Sequence, residues 1–287
     1  MFDVHAPPVA LRKGVRFANI GPMTYQVQPI PAGCVPVIIN QPGFEPAHRL
    51  PLPGVAEVDL WLLSGAALAP FREALSSALS AEERARCDRL VQPADRATSI
   101  LFRGVLRHLL SGYLGTDPTD LTFERSLRGK PELAPPYRAA GLSFNLSHSR
   151  DMLAVACWSG RQVGVDIEYR DRTCEVTALA RRFYHPAEQA QLAALDPAAQ
   201  ADQFFRWWTA KEALVKAWGC GLVDELAELN LCPWSQSAYW GLQRTDGTAW
   251  FGWPLAGPDG LAGMVVTDQP ARVIRTRGTV PAQPLGP

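Results

Sequence analysis

Apolar residues recur along the chain with two periods, one typical of strands and one typical of helices. Apolar runs at 58–63, 142–145, 152–157 and 162–168 predict strands. A helical period predicts helices at about 95–114, 175–183 and 202–218, and another helix beginning near Pro186. Ser80 followed by Glu83 is a capping box, which predicts a helix start. We expect residues 152–168 to form a hairpin that turns at Ser159 and Gly160.

Strand, helices and strands thus follow one another twice, before and after about residue 160. The two stretches share no sequence repeat, so a duplicated architecture is only compatible with the pattern. We expect four parts: a partly disordered extension over 1–56, rich in proline and glycine; an N-terminal half over 57–160; a C-terminal half over 161–275 that carries the candidate site; and a loose tail over 276–287.

Composition is that of an ordinary globular protein, with 47% hydrophobic and 20% charged residues and a formal net charge of zero. A neutral chain has no overall field to attract nucleic acid or an anionic membrane surface, so we expect neither partner. There is no secretory signal and no run of about 20 apolar residues. The six cysteines are scattered without a CxxC pair, which argues against zinc and for reduced thiols. We therefore expect a cytoplasmic protein.

The chemistry is concentrated in two segments. Asp166 and Glu168 are two residues apart in a predicted strand and therefore share a face. Glu212 and Lys216 are four residues apart in a predicted helix and are neighbours there. Paired carboxylates repel each other unless a cation lies between them, which suggests Mg²⁺ with a phosphate ligand. The plainer interpretations are an exposed acidic strand edge and a solvated Glu–Lys pair, with Lys211 a structural residue whose amine reaches solvent.

Two further segments could bind an anion. Ser147 and His148 belong to a polar cluster directly after a predicted strand, which could be turn chemistry or an anion pocket with loop N–H groups. Lys130 and Pro131 end a tight loop in which lysine could meet phosphate. The arginines of the first two helices could form a solvated face or a surface for phosphate or acidic protein; they are Arg84, Arg86, Arg89, Arg96, Arg103 and Arg107.

The order and spacing of these segments are more specific than any one of them. GKP at 129–131, FNLSHS at 144–149, VGVDIE at 163–168 and FxxWWTAKEALVKA at 204–217 resemble the surfactin-type 4′-phosphopantetheinyl transferases. The resemblance implies an α+β fold of two similar α/β halves related by a pseudo-twofold, with coenzyme A bound between them. It implies a holo-[acyl-carrier-protein] synthase activity, in which phosphopantetheine moves from coenzyme A to a serine of an acidic acyl or peptidyl carrier protein and 3′,5′-ADP is released.

The resemblance also implies roles for individual residues. Asp166, Glu168 and Glu212 would hold Mg²⁺. The catalytic residues would be Glu212 as the base, acting directly or through a water, Lys216 at the pyrophosphate, and Asp166. Residues implied to bind coenzyme A are Arg86, Ser99, Arg103, Lys130, Pro131, Ser147, His148 and Lys216. Glu83 stands where some relatives carry a basic residue, for which Arg84 or Arg103 could compensate. The carrier would meet Arg181, Arg182, Phe183 and Tyr184 of a monomeric enzyme.

Two other functions remain open. A Mg²⁺-dependent hydrolase of nucleotide diphosphates would share the carboxylates but need no surface for a carrier protein. An inactive relative would bind carrier proteins without modifying them.

Overall fold

The computed structural model describes residues 25–28, 37–45, 49–126, 130–160, 162–170, 176–219, 224–234, 240–244, 247–255 and 257–278. The helices of this part are α1 (Gly65–Leu68), α2 (Arg72–Ser77), α3 (Ala81–Asp88), α4 (Pro93–Leu114), α5 (Val176–Phe183), α6 (Pro186–Ala193) and α7 (Pro197–Trp218). Its strands are β1 (Tyr25–Gln28), β2 (Val37–Pro42), β3 (Glu57–Ser64), β4 (Phe123–Arg125), β5 (Pro131–Leu133), β6 (Ser143–Ser149), β7 (Met152–Trp158), β8 (Val163–Tyr169), β9 (Trp240–Arg244), β10 (Ala249–Pro254), β11 (Leu261–Thr267) and β12 (Val273–Gly278).

The strands form two five-stranded sheets, and β4 pairs with β5 apart from them. The first sheet has the order β2-β12-β3-β7-β6, in which β2, β12 and β3 are parallel. The second has the order β1-β9-β10-β11-β8 and is antiparallel throughout. The expected α+β class is confirmed. Among the described residues, no helix is long and apolar enough to span a bilayer.

The hairpin expected over residues 152–168 is wrong. Strand β7 lies between β3 and β6 in the first sheet, whereas β8 pairs with β11 in the second, so the chain changes sheets near Gly160. All of β7 and most of β8 are buried. Strands buried on both faces are apolar throughout, and such a pattern carries no information about which strand is the partner.

Strands from the two stretches that we expected to be an extension and a tail take part in the sheets. Strand β1 extends the second sheet beside β9, and β2 extends the first sheet beside β12, although we expected residues 1–56 to form an extension. Strand β12 runs to Gly278, so residues 276–278 lie in the first sheet instead of a loose tail. Residues 1–24, 29–36, 46–48 and 279–287 of these two stretches lie outside the described part.

Each sheet packs against one 22-residue helix, α4 for the first and α7 for the second. Both helices end at a glycine in the left-handed region, Gly115 and Gly219. Helix α7 begins five residues earlier than expected because Asp196 accepts hydrogen bonds from Ala198 N and Ala199 N. A Cβ at Gly164 would collide with the backbone of α7, so glycine there lets the helix lie directly on β8.

The two halves repeat one topology. Strand β3, helix α4 and strands β6 and β7 give the local order β3-β7-β6, and strand β8, helix α7 and strands β10 and β11 give β8-β11-β10. Both contain a buried ion pair at the same place. Arg107 and Lys211 are each the fifteenth residue of their long helix, and each contacts a capping-box glutamate at 2.7 Å, Glu83 and Glu188 respectively. This correspondence supports a duplicated architecture without a sequence repeat.

Lys211 is structural, as we expected. The expectation that its amine reaches solvent is wrong. The side chain is fully buried, and Nζ donates to Glu188 Oε2, to Phe183 O at 3.3 Å and to Leu226 O at 2.8 Å. Glu188 in turn accepts from Leu231 N at 2.8 Å. One ion pair therefore joins α5, α6, α7 and the segment after α7.

We predict that Lys211→Met lowers the free energy of unfolding by about 3–5 kcal/mol, because Glu188 is left buried without its cation. Urea titration of the purified variant measures the loss. The double variant Lys211→Met/Glu188→Gln should lose less than the single one, since no unpaired charge remains. A loss below about 1 kcal/mol in the single variant would contradict the role given to this pair.

Candidate active site

The site lies where the edges of the two sheets meet, at β6 and β8. The two strands run side by side, but the backbone N–H groups of β8 donate hydrogen bonds to side-chain oxygens of β6 instead of to its backbone carbonyls. Three N–H groups of β8 donate to side-chain oxygens of β6: Val165 N to Asn145 Oδ1 at 2.8 Å, Ile167 N to Ser147 Oγ at 3.3 Å, and Tyr169 N to Ser149 Oγ at 3.0 Å. We call Asn145, Ser147 and Ser149 the ladder residues.

The two acidic residues of β8 face this ladder. Ser147 Oγ donates to Asp166 Oδ1 at 2.8 Å, and Ser149 Oγ donates to Glu168 Oε2 at 2.9 Å. Asp166 is only 4% exposed, and Glu168 is half-buried. An exposed acidic strand edge, the plainer interpretation of this pair, does not describe them.

Helix α7 brings the other charged side chains to the same place. Lys216 Nζ contacts Asp166 Oδ1 at 2.6 Å and donates to Ser147 Oγ at 3.0 Å. Glu212 lies one turn earlier on the helix, half-buried. Its Oε1 and the Oδ2 of Asp166 are buried without a hydrogen-bond partner in the structure. The acids of one segment and the Glu–Lys pair of the other therefore converge, as the resemblance implies.

Burial and mutual repulsion shape the protonation of these groups. Burial, followed by the charge of Asp166, raises the pKa of Glu168 to about 8. The same two causes raise the pKa of Glu212 to about 7, although Lys216 opposes them. Burial lowers the pKa of Lys216, but Asp166 and Glu212 outweigh it, so its pKa is raised. The charges of three acids thus act on the ammonium group of Lys216, which contacts Asp166 directly.

An excess of buried acid fits a cation, and the two unpartnered oxygens of Asp166 and Glu212 are available to bind one. Within the described part of the chain, however, no three His, Cys, Asp or Glu side chains are gathered closely enough to hold a metal ion. Lys216 engages Asp166 Oδ1 in this arrangement. The donor set therefore suits a divalent cation, and binding would require the carboxylates to draw together.

The segment FNLSHS is part of strand β6, so the loop with N–H groups that we considered for it is wrong. Successive side chains of a strand point to opposite faces. Ser147 accordingly faces β8, while the His148 ring packs on the ring of Phe102 in α4, with centroids 5.8 Å apart. Ser147 and His148 do not share one pocket wall.

Three of the predicted coenzyme A ligands are grouped at α3 and α4. Arg103 is buried, its Nε donates to Ser99 Oγ at 3.2 Å, and burial lowers its pKa. The charge of Arg86 acts on the same guanidinium. Arg86 also pairs with Glu82 on its own helix. Ser99 and Arg103 lie on α4, the helix whose Phe102 packs on His148, whereas Arg86 lies on α3.

Glu83, the departure from the family pattern, has a structural explanation. Its Oε2 accepts from Ser80 N at 3.0 Å, completing the capping box, and from Arg107 Nε at 2.7 Å. Arg84 donates to the carbonyl of Ser76. Arg103 lies in the group beside Ser99, which makes it the better placed of the two residues that we considered for compensation.

Lys130 and Pro131 line a cavity of about 250 Å³ together with Phe144 of β6. Lys130 Nζ donates to Val163 O, at the start of β8, at 2.8 Å. Burial lowers the pKa of Lys130 to about 8 against the opposing charges of Glu132 and Asp268. The preceding residues 127–129 lie outside the described part.

The expected carrier surface is only partly present. Arg181 and Arg182 lie near the end of α5, and both are exposed. Phe183 and Tyr184 are buried in the core beneath α7, so they offer no apolar face to a partner. The helical pattern places these aromatics but cannot distinguish a core from a docking surface.

Comparison with known proteins agrees with this geometry. Residues 162–265 match the 4′-phosphopantetheinyl transferase superfamily, and residues 68–159 match the 4′-phosphopantetheinyl transferase N-terminal family. The 4′-phosphopantetheinyl transferase HetI of Nostoc sp. is 39% identical over 178 residues, which cover 62% of this chain and 75% of the relative. The chain belongs to the 4′-phosphopantetheinyl transferase family.

Other members of the family match a shorter part of the transferase. The putative 4′-phosphopantetheinyl transferase slr0495 of Synechocystis sp. is 35% identical over 56% of this chain and 65% of its own length. Sfp of Bacillus subtilis, a 4′-phosphopantetheinyl transferase, is 30% identical over 52% of this chain and 64% of its own length. The chain therefore spans just under two thirds of these two relatives.

We predict that the cation-free transferase loses stability as pH rises from about 5 to about 9. Glu168 and Glu212 have pKa values of about 8 and 7 in the folded protein, against 4.5 for an unperturbed glutamate. Their protonated forms favour the folded state, so this contribution is full below about pH 4.5 and is lost as pH passes 7–8. Thermal unfolding in a chelator measures it.

Glu168→Gln removes one of the two titrations and should make the fall in Tm with pH shallower. Glu73→Gln, at an exposed glutamate of α2, is the matched control and should behave like the wild type. Identical pH profiles for Glu168→Gln and the wild type would contradict the prediction.

Proposed function

We propose that the protein transfers the 4′-phosphopantetheine group of coenzyme A to a serine of an apo acyl or peptidyl carrier protein, giving the holo carrier and 3′,5′-ADP. The observation that supports this most is the convergence of Asp166, Glu212 and Lys216 beside strand β6 of the other half, in a chain of this family. Phosphoryl transfer needs positioning and charge neutralisation more than covalent catalysis, and this cluster can supply both.

Mg²⁺ is the cation that suits the donor set, since it prefers carboxylates, water and phosphate oxygens. Asp166, Glu168 and Glu212 would hold it, with the unpartnered Asp166 Oδ2 and Glu212 Oε1 as two of the donors. When bound, Mg²⁺ neutralises negative charge on the diphosphate of coenzyme A.

Glu212 is the proposed base. The serine oxygen of the carrier forms a bond to the phosphorus next to the pantetheine arm, and the bond from that phosphorus to the bridging oxygen breaks. Glu212 accepts the serine proton, and 3′,5′-ADP leaves with the electron pair of the broken bond.

Lys216 offsets the charge that accumulates on the 5′-phosphate of the leaving 3′,5′-ADP. Its side chain is 27% exposed, so it can meet a ligand. The nucleotide end of coenzyme A would use the cavity at Lys130 and Pro131, together with Arg86 of α3, Ser99 and Arg103 of α4, and His148 of β6. Ser147 would act on the carboxylate side, because its hydroxyl faces Asp166.

The proposed protein partner is an acidic carrier, met by the exposed Arg181 and Arg182 of α5. We propose a monomer acting in the cytoplasm, since each half already contains its own core and the two meet within one chain. A hydrolase of nucleotide diphosphates would release 3′,5′-ADP from coenzyme A without any carrier. An inactive relative would bind carriers and leave their mass unchanged.

We predict that apo carrier proteins gain the mass of one phosphopantetheine after incubation with the protein, coenzyme A and Mg²⁺. Intact-mass spectrometry of a panel of carriers identifies the reaction and its substrate together. Glu212→Gln, which keeps the side-chain volume but removes the base, should give no gain while its Tm stays near or above the wild-type value. Release of 3′,5′-ADP at the same rate without carrier, and no change in carrier mass, would favour the hydrolase.

We predict that Lys216→Ala lowers kcat of transfer by about 10²-fold or more and changes the KM for the carrier little. The reason is that Lys216 stabilises charge that develops during transfer, instead of contacting the carrier. Steady-state kinetics with varied carrier separates the two constants. An effect confined to the KM for the carrier would argue against this role.

A further inference from the structure

The ladder residues do more than join the two sheets. A strand edge normally satisfies its N–H groups with the carbonyls of a neighbouring strand. At β8 three N–H groups instead meet side chains at alternate positions of β6. Two of these side chains are serines, and a hydroxyl can donate one hydrogen bond as well as accept others.

The direction of both hydroxyl protons follows from the surroundings. Ser149 Oγ accepts from Tyr169 N at 3.0 Å, and its proton points to Glu168 Oε2 at 2.9 Å. Ser147 Oγ accepts from Ile167 N at 3.3 Å and from Lys216 Nζ at 3.0 Å, so its proton points to Asp166 Oδ1 at 2.8 Å. Each hydroxyl thus joins a carboxylate to the backbone N–H of the next residue.

We propose that Ser147 and Ser149 are positioning residues, which fix the orientation of Asp166 and Glu168 so that one oxygen of each carboxylate stays open to a divalent cation. The inference rests on the proposed function for the use of that cation. Ser147 is buried and Ser149 is nearly so, at 6% and 9% exposure. Their hydroxyls therefore act away from bulk water, where a hydrogen bond is stronger than in water.

Glu168 gains most from this arrangement. It is half-buried near the end of β8, and a glutamate that is free to rotate loses side-chain entropy when it binds a ligand. The bond from Ser149 removes part of that freedom before the cation arrives. Asn145 is the ladder residue to compare with the two serines. Its Oδ1 accepts from Val165 N, but the carboxylate of the next residue, Asp166, is bonded by Ser147 and not by Asn145.

The test is the affinity for Mn²⁺, used in place of Mg²⁺ and measured by electron paramagnetic resonance with coenzyme A present and no carrier protein. Ser149→Ala should weaken Mn²⁺ binding by about 10-fold to 100-fold, the range for losing a partner of a metal-bound side chain. Ser149→Thr keeps the hydroxyl and should bind nearly as well as the wild type. Ser149→Cys keeps the volume with a weak donor, should lie between them, and replaces Ser149→Ala if that variant does not fold.

Two controls distinguish the orientation of the carboxylates from the connection between β6 and β8. Ser111→Ala removes a buried hydroxyl of α4 that bonds to its own helix at His108 O, and it should leave Mn²⁺ affinity unchanged. Asn145→Ala removes one hydrogen bond between β6 and β8 but none to a carboxylate. It should weaken Mn²⁺ binding less than Ser149→Ala does. Equal losses in these two ladder variants, or unchanged affinity in Ser149→Ala, would overturn the inference.

Failure of the positioning role can be distinguished from failure of the proposed function. A wild-type protein that transfers phosphopantetheine while Ser149→Ala keeps full Mn²⁺ affinity would overturn the positioning role alone. A wild-type protein that binds Mn²⁺ tightly but modifies no carrier would overturn the function and leave the positioning role to be decided by the variants. A wild-type protein that binds no Mn²⁺ would overturn both.

Discussion

The buried negative charge of Asp166 is the constraint on which the site depends, and a second buried aspartate shows why. Asp59 in β3 is fully buried, but Arg275 and Arg277 of β12 and the hydroxyl of Tyr113 bond to it at 2.7, 3.1 and 2.6 Å. Asp166 in β8 is almost as buried, yet its Oδ2 has no partner and its bonded cation is the amine of Lys216. A saturated aspartate is structural, whereas an unsaturated one favours a further cation.

The duplicated scaffold explains how such an unsaturated charge can be held. In each half, a capping-box glutamate of a short helix forms a buried ion pair with a positively charged residue of the long helix, Arg107 or Lys211. This ion pair fixes the short helix against the long one. The residue that follows this positively charged residue is His108 in α4 and Glu212 in α7. Four positions later, α4 has Gly112 where α7 has Lys216. The two helices are thus positioned alike, and the second one carries the chemistry.

The sequence predicts the elements better than their arrangement. The capping box at Ser80, the long helices and the strand at 163–169 follow from periodicity and local hydrogen bonding, because both act within a few residues. The separation of β7 from β8 depends on which buried strands pair, and uniform apolar strands leave that open. Asp166, Glu168, Glu212 and Lys216 could be found because charged residues at fixed spacing interrupt apolar segments. Ser149 and Glu188 were missed, since their importance arises only when β6 meets β8 or α6 meets α7; the alternation of Asn145, Ser147 and Ser149 was the available signal for the first contact.

The position of the site at the joint of two sheets has a chemical consequence. Lys216 already bonds to Asp166 and Ser147, one from each side of the joint, so its charge is partly used within the protein. Under the proposed function, a divalent cation on Asp166 would compete with that ammonium group, and the charge of Lys216 would become available to the diphosphate. In the free protein, Asp166 and Lys216 would neutralise each other. In the complex, Asp166 would bind the cation and Lys216 would neutralise the diphosphate. Such an exchange requires β6, β8 and α7 to stay in register, which the side-chain ladder and the buried ion pair of Lys211 provide.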